Sequence, residues 1–256
     1  MADAIFLDCD GVVTDRNARV DADVMFEAHR LALAGKKVAF VSARSLTWMN
    51  ANLVPALERF NPSEEERSRI FFVAEMGARW ISFSRGGSLQ GEMAGAVPAS
   101  VRAEMKASLA KWYLLFFDEA KESMAAVEVR HDRAASSRQS MEEAQRQLGE
   151  AEAAFTARYP KFNVIRTLYA VDVMSKGAGK AGAVARALEL AGAVREAVVV
   201  GDSPADLGMG AELDRRGIPL TFYYVGEREP GSVPFKLVKT KEKYSRGALE
   251  ALRGVR

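Results

Sequence analysis

The sequence predicts an α/β protein, a parallel-sheet core interrupted by an α+β insertion, and three observations predict it. Short apolar runs at residues 5–7, 37–41, 70–74 and 197–200 each stop abruptly in polar or glycine-containing segments, as strands buried on both faces do. Amphipathic helical segments separate the first runs, and strand–helix–strand alternation builds a parallel sheet whose functional edge lies at the strand C-terminal ends. Between about residues 84 and 172 the alternation gives way to a different mixture of helices and strands, then resumes. The expected division is 1–83 core, 84–172 insertion and 173–256 core.

Ile5-Phe-Leu7 runs into Asp8-Cys-Asp10-Gly11. Side chains alternate along a strand, so Asp8 and Asp10 share one side and Cys9 takes the other. Burying two such carboxylates without a cation costs several kcal/mol each. On their own they could equally cap the following turn. Asp21 and Asp23 mark a helix start, Val24, Ala28 and Leu31 keep helical spacing, and Gly35 supplies the stop. The strand over 37–41 leads into Ser42-Ala-Arg44-Ser45, then a helix with Leu46, Met49, Leu53 and Leu57 on one face, which Pro55 is expected to break or kink. Ser63 and Glu66 have capping-box spacing in a loop leading to a short turn. The third strand, 70–74, is closed by Glu75-Met-Gly77.

In the insertion, Arg85-Gly-Gly-Ser-Leu-Gln-Gly91 reads as flexible. A helix after Pro98 carries Val101, Met105, Leu109 and Trp112, and a strand is expected over 124–130. A second helix opens at Ser136, with Gln139 in capping-box register, and carries the apolar stripe Met141, Ala144, Leu148, Ala151 and Phe155 as far as Pro160. Strands follow at 162–165 and 169–173. The core resumes with a helix opened by Ser175-Lys-Gly-Ala-Gly-Lys180, the 197–200 strand ending in Gly201-Asp-Ser-Pro-Ala-Asp206, a strand within 219–225 and a final helix over 245–252.

Composition narrows the function. Lys and Arg total 36 against 34 Asp and Glu, so charge balance argues against a nucleic-acid or membrane partner. With 48% hydrophobic residues and a mean hydropathy of −0.11, the 256 residues predict a soluble globular protein. The single cysteine excludes an internal disulfide, and no charged leader precedes an apolar segment, so a cytoplasmic location is expected. Two histidines, His29 and His131, leave little room for a His-rich zinc site or a Ser-His-Asp triad. Catalysis would lean on carboxylates, lysine and arginine.

Asp8-Cys-Asp10-Gly-Val-Val-Thr14 resembles the first motif, Asp-x-Asp-Gly-x-x-Thr, of the haloacid dehalogenase superfamily of phosphohydrolases. Ser42 stands where the second motif has its hydroxyl, and Arg44 adds a bidentate phosphate donor within reach. Lys176-Gly-Ala-Gly-Lys180 is similar to the Lys-Gly-x-x-Lys found after the cap in the α/β-capped branch, with Lys180 the matching catalytic ammonium. Gly201-Asp202-Ser-Pro-Ala-Asp206 resembles the fourth motif, Gly-Asp-x-x-x-Asp. The resemblance covers nearly the whole chain and implies a Rossmann-like core with a parallel sheet and an inserted α+β cap. It implies Asp8 as nucleophile forming an aspartyl-phosphate, Asp10 as general acid and base, and Ser42 and Lys180 on the phosphoryl oxygens. Magnesium would be held by Asp8, Asp202, the Asp10 carbonyl and Asp206. The implied substrate is a small phosphorylated metabolite, met in the cap by polar residues among which Arg130, His131 and Lys121 stand out; the protein would be a monomer or homodimer.

Within the superfamily the chain resembles the Cof-type branch, with archaeal phosphoglycolate phosphatases and the sucrose-, trehalose- and mannosylglycerate-phosphate phosphatases. Thr14-Asp-Arg16 and Val171-Asp-Val-Met174 are similar to the phosphoglycolate enzymes. Two departures stand out: Met76 in a Glu75-Met-Gly77 that is usually Glu-Asn-Gly there, and Ala205 where many relatives have Asn.

Three other readings compete. Phosphomannomutases share these motifs but need a strongly basic cap, which Arg102, Arg130 and Arg133 could supply. Gly177-Ala-Gly179-Lys-Ala-Gly182, with Asp202 about twenty residues on, matches a dinucleotide-binding fingerprint. It leaves the Asp8 motif unexplained. A P-loop fails, because Ala181 follows Lys180 and the leading glycine is absent. A non-catalytic binding protein is argued against by intact Asp8, Asp10, Lys180 and Asp202.

Overall fold

The computed structural model describes residues 2–15, 18–84, 87–92, 96–134 and 137–255. The chain forms two compact units, one of Met1–Glu92 with Gly179–Arg256 and the other of Met93–Ala178. The first contains β1 (Ala4–Asp8), α1 (Ala22–Leu33), β2 (Lys37–Val41), α2 (Leu46–Glu58), α3 (Glu64–Arg67), β3 (Ile70–Ala74), β4 (Arg79–Ser84) and β5 (Gly87–Glu92). The second contains α4 (Ala99–Ser108), β6 (Leu115–Phe117), β7 (Ala125–Val129), α5 (His131–Ala134), α6 (Arg138–Arg158), β8 (Asn163–Arg166) and β9 (Ala170–Met174). The first unit then resumes with α7 (Lys180–Ala191), β10 (Ala197–Gly201), α8 (Leu207–Arg215), β11 (Leu220–Tyr224), β12 (Lys236–Lys239) and α9 (Tyr244–Arg253).

The larger unit is built on one sheet in the order β12-β11-β10-β1-β2-β3-β4-β5, parallel from β12 to β3 and antiparallel through β4 and β5. Its central strands are buried on both faces. Ile5, Leu7, Val38, Phe40, Ile70 and Phe72 pack with residues of α1, α2 and α9. Ala4, Phe6, Val41, Phe71, Val73 and Val199 turn the other way, into a cluster with α7 and α8. Both faces being apolar is why these strands read as continuous apolar runs.

Helix ends follow local chemistry. The Asp21 carboxylate accepts from the Asp23 and Val24 amides at 3.0 and 3.3 Å. At the other end of α1, Gly35 takes a φ of 84°, and the Lys36 amide bonds back to the Leu31 carbonyl, the closing bond of a Schellman cap. Both halves of the Ser63–Glu66 capping box are made. Pro55 does not break α2, which runs through it. Pro55 and Ala51, whose carbonyl would have received the missing N–H bond, both lie on the exposed side, so water can take that acceptor.

The stretch read as flexible contributes β5, so the expected division at residue 84 falls inside the β4–β5 hairpin; Arg85 and Gly86 lie outside the described residues. Gly91 pairs with Trp80, and a Cβ there would sit 2.2 Å from the indole. Glycine is needed because the ring lies across its strand, the aromatic cover that makes a glycine-rich edge a workable strand.

The second unit is an antiparallel sheet, β6-β7-β9-β8. Leu115, Phe117, Ala125, Val127, Val129, Val171 and Val173 point to one face and pack against Met105 of α4 and Ala144, Leu148, Ala151 and Phe155 of α6. By alternation the other face carries Phe116, Ala126, Glu128, Ile165 and Asp172. Ser137 caps α6, accepting from the Ser140 amide at 3.0 Å; Ser136 lies outside the described residues. Among the described residues no helix is long and apolar enough to cross a membrane.

Candidate active site

Three neighbouring strands, β10, β1 and β2, end level with one another: Leu7 is paired with Val200, and Asp8 with Val41. That register brings Asp8, Ser42 and Asp202 to one edge. Side-chain oxygens of Asp8, Asp202 and Asp206 lie within 4.8 Å of one another. Asp8 and Asp206 are buried. Gly201 makes this possible, since a Cβ there would lie 2.4 Å from that of Asp206. Asp206 Oδ2 accepts from the Ser203 amide at 2.9 Å, the Ser203 hydroxyl at 2.7 Å and the Asp202 amide at 3.2 Å. Three donors on one oxygen fix the loop after β10 without the asparagine that Ala205 replaces. Thr14 is also buried, its hydroxyl 3.3 Å from the Cys9 carbonyl, so it ties down the turn after β1.

Lys180, the first residue of α7, reaches this group. Its ammonium bonds to Asp8, lies 2.8 Å from Asp206 Oδ1 and donates to the Val41 carbonyl at 3.2 Å. Lys176 is exposed. Burial works against the Lys180 charge, but Asp206 and Asp8 outweigh it and hold the ammonium protonated. One ammonium does not balance the acids. Burial and then Asp206 push the Asp8 carboxyl well above the usual carboxylate range against the pull of Lys180, and the same two causes bring Asp202 to about 7. A cluster of hard oxygen donors with surplus negative charge could hold a divalent cation, and magnesium fits that donor set.

Asp10 and Arg44 lie at the rim. The Arg44 guanidinium grips the Asp10 carboxylate, with Nη2 2.6 Å from Oδ1 and Nε 3.1 Å from both oxygens. Ser42 is buried, and its hydroxyl accepts from the Arg44 amide at 3.0 Å. Neither the Arg44–Asp10 pair nor the loop at 75–77 was legible as such in the sequence. Glu75, Met76 and Gly77 all take left-handed φ, of 48°, 56° and 95°. The loop bonds to three parts of the site: Met76 N–H to the Ser42 carbonyl, Glu75 N–H to the Arg44 carbonyl, and Gly179 N–H to the Met76 carbonyl. Asparagine adopts this conformation more readily than methionine, and the sequence marked the loop through Gly77 and its likeness to Glu-Asn-Gly.

Arg130 donates to the Leu115 carbonyl at 3.1 Å, and His131 lies exposed against Tyr169, ring centroids 4.9 Å apart. Lys121 is buried between Asp172 at 3.0 Å, Glu128 at 3.1 Å and Asp118 at 3.9 Å. These residues belong to the second unit, and the geometry of the first does not include them. Arg16, in the Thr14-Asp-Arg run, lies outside the described residues.

No protein-family model and no curated protein matches the sequence. Solved structures do match in fold. A haloacid dehalogenase-like hydrolase from Bacteroides thetaiotaomicron is 15% identical, with 99% of each chain covered and a TM-score of 0.67. The C-terminal domain of trehalose-6-phosphate phosphatase from C. albicans is 15% identical over 97% of this chain and 90% of that one, TM-score 0.69. The C-terminal domain of the Candida albicans trehalose synthase regulatory protein is 9% identical over 97% and 93%, TM-score 0.66. The chain therefore has the fold of the haloacid dehalogenase-like hydrolases, as its motifs lead one to expect. A regulatory protein shares that fold, so activity has to be argued from the site.

Proposed function

We propose that the protein is a magnesium-dependent phosphatase acting on a small phosphorylated metabolite through an aspartyl-phosphate on Asp8. The observation that carries this reading is the grouping of buried Asp8 and Asp206 and half-buried Asp202 around Lys180 at the ends of adjacent strands. Asp8 attacks phosphorus as the bond to the leaving oxygen breaks, and Asp10 gives that oxygen its proton. Water then attacks the aspartyl-phosphate, Asp10 takes the water's proton, and phosphate leaves with Asp8 restored. Lys180 and Ser42 hold the equatorial oxygens. Magnesium, held by Asp8, Asp202, Asp206 and the Asp10 carbonyl, would neutralise phosphoryl charge during transfer.

The substrate class is a small phosphorylated metabolite such as phosphoglycolate or a sugar phosphate. The mutase alternative asks for free cations, but Arg102 donates to the Met124 carbonyl and stacks on Phe117, and Arg130 is bonded to Leu115. Against a dinucleotide, the start of α7 faces Asp8 and Asp206, which would repel a pyrophosphate.

The test is phosphate release from p-nitrophenyl phosphate, sugar phosphates and phosphoglycolate, with magnesium or EDTA. We expect magnesium-dependent release, a ranking across the panel that identifies the leaving group, and at least about a thousandfold loss in Asp8→Asn with the fold retained. Release that survives Asp8→Asn would remove the assignment.

A further inference from the structure

We propose, resting on the phosphatase reading, that Arg44 is a positioning residue for Asp10, aiming the carboxylate that protonates the leaving oxygen, rather than a ligand of the phosphate. The grip is unequal: Nη2 meets Oδ1 at 2.6 Å while Nε lies 3.1 Å from both oxygens, so the planar fork fixes the group through Oδ1 and leaves Oδ2, met only by the shared Nε, as the oxygen to carry the transferred proton. The fork is itself held. Its carbon lies 4.7 Å from the centre of the Trp48 ring, and Trp48 sits in the first turn of α2, where its amide donates to the Ser45 hydroxyl at 3.1 Å. The Arg44 backbone is fixed at both ends, its amide on the Ser42 hydroxyl at 3.0 Å and its carbonyl on the Glu75 amide at 3.0 Å. Asp10 lies two residues beyond the end of β1, in an isolated backbone bridge with Thr14 and with its side chain half exposed.

With Nε and Nη2 both turned to the Asp10 carboxylate, the effect of Arg44 on turnover should pass through Asp10. In the first half-reaction the phosphorus–oxygen bond to the leaving group breaks, an Asp8 oxygen bonds to phosphorus, and the Asp10 proton moves to the leaving oxygen. The need for that last movement grows with the basicity of the leaving oxygen, on which charge builds as the bond breaks. An ester whose leaving group departs readily as an anion needs no proton and should be indifferent to how Asp10 is held.

The experiment measures kcat/KM, which reports steps through formation of the aspartyl-phosphate, on dinitrophenyl, p-nitrophenyl, phenyl and glycerol phosphates. Arg44→Ala is expected to lose about a hundredfold on glycerol phosphate and less than about threefold on dinitrophenyl phosphate, the scale of general-acid catalysis. Asp10→Asn should show the same graded loss, and adding Arg44→Ala to it should cost less than about threefold more. Arg44→Lys, a point charge without the fork, should recover part of the loss, and thermal melts establish that each variant is folded. Equal losses on every ester, appearing in KM and multiplying with Asp10→Asn, would overturn the proposal and make Arg44 a phosphate ligand. Asp8→Asn is run alongside: turnover that survives it would overturn the phosphatase reading itself, whatever Arg44 does.

Discussion

Two buried lysines, Lys180 in the larger unit and Lys121 in the smaller, are each surrounded by acids, and the two clusters balance their charge differently. Around Lys121 the acids radiate outward: Asp172 is buried, but the Glu128 and Asp118 side chains are 33% and 21% exposed, so water shares their charge. Around Lys180 the acids crowd one another at and beyond the ends of two adjacent strands, β1 and β10, and two of them are pushed toward protonation. Burial opposes the Lys121 charge, yet Asp172 and Glu128 hold its pKa above the ordinary value, which marks a completed ion pair. The cluster at Lys180 has more acid than one lysine can answer. The first arrangement is finished without a ligand, and the second could hold one more cation.

The largest effect should come from breaking the finished cluster. Lys121→Met strands the buried Asp172 carboxylate and is expected to cost about 3–5 kcal/mol in urea unfolding. Adding Asp172→Asn should return at least half of that, because removing both partners costs less than leaving one. A loss below about 1 kcal/mol would show the cluster behaving as a solvated surface pair.

The unfinished cluster should respond to magnesium and pH. The folded Asp202 carboxyl, near pH 7, holds its proton where the unfolded one, near 3.8, has lost it. The unfolded chain therefore binds fewer protons across that window, and in EDTA this group makes stability fall as pH rises from about 4 to 7. Magnesium at a hundredfold excess over its Kd should return about 2.7 kcal/mol, roughly 5–10 °C in Tm. The gain should be larger at pH 8 than at pH 6, where the proton competes. Melts indifferent to magnesium at both pH values would make the two clusters alike.

Much of this contrast could be read from the chain alone, and the unreadable part has a physical pattern. Strands buried on both faces advertise themselves as apolar runs, so β1, β2, β3 and β10 were legible, as were the acids at their ends and the lysine that opens α7. Half-covered or edge strands were not. β5 hides behind glycines that its partner Trp80 covers, β6 has three residues, and β12 is a short edge strand with lysine at both ends. Contacts set by side-chain direction were also beyond reach. Arg44 stands 34 residues from Asp10, and its spacing from Ser42 suggested a phosphate donor because nothing local says where a guanidinium will turn. Lys121 was visible as a polar residue of the insertion and Asp118 lies only three residues before it, but Glu128 and Asp172 come from separate positions that only the register of β7 and β9 brings together.

The clusters also differ in what places their lysines, and the smallest of these expected effects tests that. Lys121 is held by sheet register and ion pairs, whereas Lys180 is held by backbone, since α7 lies directly against the loop after β3. Gly77 takes a φ of 95°, and a Cβ there would meet the Ala183 backbone in α7 at 2.8 Å. Neither atom at that contact is the end of a flexible side chain. Gly77→Ala must therefore move the helix or the loop, at an expected cost of about 2 kcal/mol for overpacking plus the strained φ. The displacement carries Lys180 with it, because the Gly179 amide that precedes it is bonded to the Met76 carbonyl in the same loop. The variant should thus lose magnesium-dependent turnover beyond its loss of stability, measured well below its Tm. Gly77→Ala with unchanged turnover and a normal urea midpoint would mean that α7 can shift without disturbing the acids, and that Lys180 is placed by its charge alone, as Lys121 is.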